Sequence, residues 1–247
     1  MSWGELGKDP RVVYQDESVI LLCARWQDVA ESLPVVDLVC TDPPYSERTH
    51  KGSDAMADGS DKPYRRALGY QPWTDRDVRA LVASLACDGW WVALTDAELA
   101  SSWRTAYRDD GRYDFAPVPV LQHRPRLSGD GPASCAVYLM ASRPRCASFM
   151  GWGSLPGWYQ AAPERSSHAM GAKPIGLMRA IVRDYSRPGD LILDPCAGGG
   201  TTGRAARLEG RRCILIEQDP ETAAKTARLL HPLRNPKTAD GQTELWT

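Results

Sequence analysis

Residues 191–203 read Leu-Ile-Leu-Asp-Pro-Cys-Ala-Gly-Gly-Gly-Thr-Thr-Gly. A short aliphatic run stopped by Asp-Pro has the pattern of a strand buried on both faces. The glycines behind it allow a tight turn before the helical pattern at 202–209. Gly198, Gly200 and Gly203 satisfy G-x-G-x-x-G, and acidic Glu217 closes the next aliphatic run, the layout of a nucleotide-cofactor unit. Outward from this segment, β-branched and apolar runs bounded by Gly, Pro, Asp or Ser lie at 19–23, 35–40, 90–95, 118–122, 136–140 and 213–216. Helical spacing appears at 76–87, 97–107, 174–185 and 220–230. Strands alternating with helices of this length predict an α/β fold, a mostly parallel sheet with helices on both faces.

The 247 residues carry a formal net charge of −1, with 43% hydrophobic and 25% charged side chains, the profile of a single soluble domain with a real core. No apolar stretch approaches the roughly twenty residues of a bilayer span, and the N-terminus lacks a basic-then-apolar layout. A cytoplasmic protein with no membrane partner is expected. Seven cysteines without a C-x-x-C pair, beside four histidines, indicate neither a disulfide framework nor a metal site. Residues 46–73 are polar, charged and glycine-rich, and read as a long mobile loop of the kind that serves a site.

A lone G-x-G-x-x-G also fits a dinucleotide cofactor such as NAD. Against that stands Asp194: a carboxylate at the mouth of the turn repels a pyrophosphate but accepts hydrogen bonds from a cationic amino-acid group. S-adenosylmethionine carries such a group. On this reading Asp194 and the turn, with Cys196, Ala197, Gly198, Gly200, Thr201 and Thr202, hold the methionine end. Glu217 would take both ribose hydroxyls.

A second strand, 36–41, ends in Asp42-Pro43-Pro44-Tyr45. An exocyclic amino group on a base is a poor nucleophile, because its lone pair is delocalised into the ring. Acceptors that draw it toward tetrahedral geometry would activate it, and the Asp42 carboxylate and Pro43 carbonyl can serve. The prolines fix the backbone and Tyr45 offers a flat face for an extruded base. Alone, the tetrapeptide also fits an ordinary turn after a strand.

Together these segments resemble the DNA amino-methyltransferases that modify adenine N6 or cytosine N4, in the order that places the Asp-Pro-Pro-Tyr motif first and the cofactor turn last. A third element, His168-Ala-Met-Gly-Ala-Lys173-Pro174, resembles that family's His-x4-Lys-Pro. The resemblance implies a Rossmann-like S-adenosylmethionine-dependent methyltransferase fold with a mixed seven-stranded sheet. It also implies a catalytic role for Asp42, Pro43, Pro44 and Tyr45, and contacts from His168 and Lys173 to the cofactor's methionine end. It places Asp96 beside the base pocket. The chain departs from the family at Ala24-Arg25, where Gly-Asp is common, and at Cys196, where an aromatic is usual. Pro-Cys also marks the covalent nucleophile of carbon-5 cytosine methyltransferases, but a thiolate inside the cofactor turn cannot also attack a base. Cys196 is therefore read as a small packing side chain.

The chain has little room for a separate target-recognition domain. Two cationic segments are expected to meet DNA: the 46–73 loop with Arg48, Lys51, Arg65 and Arg66, and residues 104–145 with Arg104, Arg108, Arg112, Arg124, Arg126, Arg143 and Arg145. The expected activity is methyl transfer from S-adenosylmethionine to a base amino group. Adenine is favoured because Asp, rather than Ser, leads the motif in the adenine enzymes it resembles. Cytosine N4, an NAD oxidoreductase and a catalytically inactive DNA-binding module are the alternatives. The oligomeric state, a homodimer included, is left open.

Overall fold

The computed structural model of the chain describes residues 1–49, 71–128, 131–146, 152–161 and 173–231, at 124–128 and 131 for the backbone alone. Its strands are β1 (Val12–Gln15), β2 (Val19–Cys23), β3 (Val36–Thr41), β4 (Cys87–Thr95), β5 (Tyr113–Asp114), β6 (Val118–Ser128), β7 (Gly131–Arg143), β8 (Tyr159–Ala161), β9 (Leu191–Asp194) and β10 (Arg212–Glu217). Its α-helices include α1 (Trp3–Leu6), α2 (Asp75–Ser84), α3 (Ala100–Asp109), α4 (Ile175–Tyr185), α5 (Thr201–Leu208) and α6 (Pro220–Leu230).

The strands form one sheet in the order β1-β2-β10-β9-β3-β4-β7-β6-β8, with β5 attached to β7. From β2 to β4 all neighbours are parallel, whereas β7 runs antiparallel to both β4 and β6. The chain steps from β3 to β4 on one side and from β9 to β10 on the other. The order therefore reverses between β9 and β3, and the crevice where α/β proteins bind ligands lies beyond the carboxyl ends of those two strands.

All seven expected strands are present, and among the described residues the sheet holds ten. The additions β1, β5 and β8 have four, two and three residues, too few to show a period in sequence. The helix expected over 76–87 ends at Ser84, because Leu85 is already extended and Cys87 opens β4 opposite Val36. Both sheet faces are covered. Leu38, Trp90, Val92, Leu94, Ile192 and Leu215 point to the layer of α4, α5 and α6. The alternating Val39, Trp91, Ala93, Leu193, Ile214 and Ile216 point to the layer of α2 and α3. Trp91, Trp103 and Tyr107 interlock there with ring centroids 5.8–5.9 Å apart.

The long β6–β7 hairpin differs from the short runs expected. Tyr138 pairs with Thr95 at the carboxyl end of β4, so residues 131–137 of β7 and their β6 partners extend past that end. At the strand rise of about 3.3 Å per residue this overhang reaches roughly 20 Å.

Candidate active site

Asp42 follows directly on β3, and Asp194 is the last residue of β9, so the two motifs separated widely in sequence end side by side. Asp42 Oδ1 accepts from the Tyr45 hydroxyl at 3.0 Å, and Oδ2 from Lys173 Nζ at 2.5 Å. The ammonium also lies 5.1 Å from the centre of the Tyr45 ring. Lys173 thus reaches Asp42 and Tyr45, a pairing that sequence reading missed. Both charges are only partly buried, at 17% and 24% side-chain exposure, which leaves a route to the carboxylate.

The glycine turn is bound from several sides. Ala197 N donates to Ile216 O and Gly200 N to Ala197 O, while the Thr226 hydroxyl donates to Gly198 O at 2.6 Å. Gly198 and Gly200 have φ of +48° and +70°, the left-handed region that strains other residues. Gly203 is needed for close packing instead. A Cβ there would lie 2.7 Å from Leu215 Cδ1, so its absence lets α5 settle against the sheet. A Cβ on Gly198 would meet nothing within 4 Å, so the backbone of the turn faces open space.

Glu217 stands beside it. Its Oε2 accepts from Gly198 N at 2.9 Å and its Oε1 from Asp219 N at 2.8 Å. Burial raises its carboxyl above the usual range against these hydrogen bonds. Asp194, by contrast, is 2% exposed. Oδ1 accepts from the Thr41 hydroxyl at 2.8 Å and Cys196 N at 3.1 Å, and Oδ2 from the Thr202 hydroxyl at 2.6 Å. Burial lifts the carboxyl to about 6 despite these donors. Its charge therefore sits inside the turn rather than free at its mouth, and Thr202, 3% exposed, is engaged there too. Thr201 opens α5. Burial, with the Asp194 and Glu217 charges, pushes the Cys196 thiol well up, away from thiolate nucleophile character.

Asp96 follows β4 and is 8% exposed. Its Oδ2 accepts from Ser46 N at 3.0 Å and from the hydroxyls of Ser46 and Thr49, each at 2.5 Å; its Oδ1 accepts from Leu99 N at 3.1 Å. Burial would raise this carboxyl, but the hydrogen bonds outweigh it and hold it below its usual value. Asp96 is thereby the anchor for the chain just after Tyr45.

The cationic segments divide. Arg104 and Arg108 both grip Asp114, at 2.8 Å each. Arg112 is 5% exposed and donates to Ser142 Oγ and to the carbonyls of Cys87 and Gly89. These three are engaged within the fold, Arg112 by burial and Arg104 and Arg108 through Asp114. Arg143 and Arg145 stack on Tyr113. Ser142, just before them, is level with Trp91, so they lie toward the end of the sheet away from Asp42. Arg48 pairs with Glu98 at 2.6 Å and is 82% exposed. Lys51, Arg65, Arg66 and His168 lie outside the described residues, as does most of the 46–73 stretch expected to be a mobile loop. So do the side chains of Arg124 and Arg126, whose backbone lies in β6 beyond the sheet's carboxyl end.

A glycine turn and an Asp-Pro-Pro-Tyr segment meeting at the switch point of the sheet define a Rossmann-like protein of the methyltransferase type. The chain belongs to the DNA methylase family N6_N4_Mtase, whose sequence profile matches residues 95–228. That match contains the glycine turn and Glu217 and begins after Tyr45. The type II methyltransferase M2.MboI of Moraxella bovis is 43% identical over 61 residues, 25% of this chain and 22% of that protein. The DNA adenine methyltransferase YhdJ of Escherichia coli K12 is 47% identical over 49 residues, 20% of this chain and 17% of its own. The matched stretch thus spans about a fifth of those relatives' length. Among solved structures, the M1.HpyAVI–SAM complex superposes with a TM-score of 0.65 at 16% identity, covering 87% of this chain and all 100% of that one. The cytosine-N4-specific PvuII DNA methyltransferase gives 0.65 at 17% identity, covering 92% and 91%. At these identities the likeness is one of fold.

Proposed function

We propose that the protein transfers a methyl group from S-adenosylmethionine to the exocyclic amino group of a DNA base, with adenine N6 the favoured acceptor. The observation that supports this most is the placement of the Asp42 carboxylate and the glycine turn on adjacent strand ends, linked by the Thr41–Asp194 hydrogen bond. Family membership and the S-adenosylmethionine complex of a protein with this fold support the cofactor. The turn suits it: its backbone at Gly198 faces open space, and Glu217 stands beside it with acceptor oxygens for ribose hydroxyls. Asp194 is engaged with its own turn, so its role is to shape the cradle and give it negative potential toward the methionine ammonium. Lys173, already at the site, supplies the cation.

When bound, the cofactor supplies an electrophilic methyl on a sulfonium. This chain's residues position and polarise the acceptor. Asp42, now facing Tyr45 and Lys173, accepts a hydrogen bond from the incoming amino group in place of one of them. The Pro43 carbonyl accepts the other, and the ring of Tyr45 stacks on the base. No side chain need form a covalent bond. DNA is then held by cations outside the fold-fastening set, on the 46–73 loop and the β6–β7 overhang.

Cytosine N4 is the second reading, supported by the fold shared with a cytosine-N4-specific enzyme. Expression in a methylation-free host, with single-molecule sequencing of the DNA, decides between them. N6-methyladenine in one sequence context is expected, N4-methylcytosine would move the assignment, and unmodified DNA would overturn the activity. Calorimetry should show S-adenosylhomocysteine binding and no NAD binding, where the opposite result would restore the oxidoreductase reading.

A further inference from the structure

Thr41 ends β3 immediately before Asp42 and is 1% exposed. Backbone pairing between β3 and β9 joins Leu38 with Ile192 and Val39 with Leu193. Above that level the Thr41 hydroxyl carries the contact onward, donating 2.8 Å to Asp194 Oδ1 across 153 residues of sequence. Asp194 is in turn fastened to the start of α5 by Thr202 and to the glycine turn by the Cys196 amide. One hydroxyl thus joins the residue before the base-site carboxylate to the residue that shapes the cofactor cradle.

We propose that Thr41 is a positioning residue that, through Asp194, couples the shape of the cofactor turn to the placement of Asp42, so that cofactor binding and base capture reinforce one another. The proposal rests on the methyltransferase reading of the site. Its physical basis is the poverty of Asp194's surroundings. The titratable groups facing it are Asp42 and Cys40 on or beside β3, Cys196 in the turn and Cys213 on β10. None of these is a cation, and among the described residues Asp194 has no ion pair. Its ionised form therefore depends on three hydrogen-bond donors, and a buried carboxylate that loses one becomes costlier to ionise. Valine has nearly the shape of threonine without the donor, so Thr41→Val removes the link with little change in packing.

Three measurements on the parental protein, Thr41→Val and Thr41→Ser test this. The first is the titration of the Asp194 carboxyl carbon by NMR in ligand-free protein; the second is S-adenosylhomocysteine affinity from about pH 5 to about pH 8. The third is duplex DNA affinity with and without S-adenosylhomocysteine. Thr41→Val should raise the Asp194 midpoint by about one pH unit and so weaken S-adenosylhomocysteine about tenfold toward pH 5 but only about twofold near neutrality. It should also abolish the tightening of DNA by S-adenosylhomocysteine, and Thr41→Ser should restore all three. A parental midpoint or undiminished coupling in Thr41→Val overturns the proposal. Should Thr41→Val not fold, Thr41→Cys keeps a weak donor of similar size and should fall between parent and loss, while parental behaviour there counts against the link. If the parental protein itself fails to bind S-adenosylhomocysteine, the functional reading falls, while the carboxyl titration still judges the Thr41–Asp194 link.

Discussion

Asp194 is 2% exposed, and burial raises its carboxyl from 3.8 to about 6 although Thr202, Thr41 and the Cys196 amide pull the other way. A carboxyl raised on folding keeps its full stability contribution below the unfolded value. That contribution is lost as pH rises through about 6, because the folded chain binds the proton more tightly in that window. Asp194→Asn should therefore stabilise the protein near neutral pH by about 1–3 kcal/mol, with the advantage fading toward pH 4. Denaturant melts at both pH values check this, and equal destabilisation at both would mean that hydrogen-bond geometry outweighs charge. The same variant should bind S-adenosylhomocysteine more weakly, since the cradle loses its negative potential. At Asp42 the expectation is reversed. On the proposed mechanism Asp42→Ala removes an acceptor needed chiefly as the methyl arrives, so turnover should fall by about a hundredfold or more while cofactor affinity stays within a few-fold. Single-turnover rates and calorimetry separate the two effects, and near-normal turnover would sink the assigned role.

At the scale of elements, the carboxyl-end geometry depends on how closely β3 and β4 run at their start. A Cβ on Gly89 would lie 1.7 Å from the Asp37 carbonyl oxygen. The pairing register shifts between Val36 and Leu38 at this point, and the Asp37 carboxylate accepts from Leu191 N of the next strand at 2.8 Å. Backbone, not a flexible side chain, blocks the added methyl. Gly89→Ala should cost about 2–4 kcal/mol, seen as a lower urea midpoint at unchanged slope. Nothing in the sequence around Gly89 signals this. The glycine turn and Asp42-Pro-Pro-Tyr were legible because each is a contiguous string whose backbone demands are local. Thr41, Asp96 and the Lys173–Asp42 pair acquire their roles from partners 153, 50 and 131 residues away, and their residue types are ordinary in place. Seven strands were legible from apolar runs, whereas the short β1, β5 and β8 were not. The overhang of β6 and β7 was not, because polar hairpin residues such as His123 and Ser134 show no buried period.

For the whole molecule, a formal charge of −1 leaves little general attraction to a polyanion, so on the proposed function DNA affinity comes from cations held at the Asp42 end of the sheet. The fold removes several candidates: Arg104 and Arg108 are committed to Asp114, Arg112 is buried, and Arg143 and Arg145 lie toward the opposite end of the sheet. What remains is Arg48, Lys51, Arg65 and Arg66 after Tyr45, and Arg124 and Arg126 on the overhanging hairpin. Arg48 already pairs with Glu98, but an ion pair this exposed is weak and readily exchanged for phosphate. Replacing Arg48, Lys51, Arg65 and Arg66 by alanine should flatten the dependence of log affinity on log salt by about 0.9 per lost phosphate contact on duplex DNA. Arg124→Ala with Arg126→Ala should flatten it independently, since the two groups lie on separate chain segments. Changing Arg104 and Arg108 should instead lower stability and leave the slope unchanged. Fluorescence anisotropy across a salt series, with S-adenosylhomocysteine affinity as the control for an intact fold, distinguishes these outcomes. A parental slope in both cationic variants would mean that neither segment meets the phosphates, and a slope lost on replacing Arg104 and Arg108 would return α3 to the DNA interface.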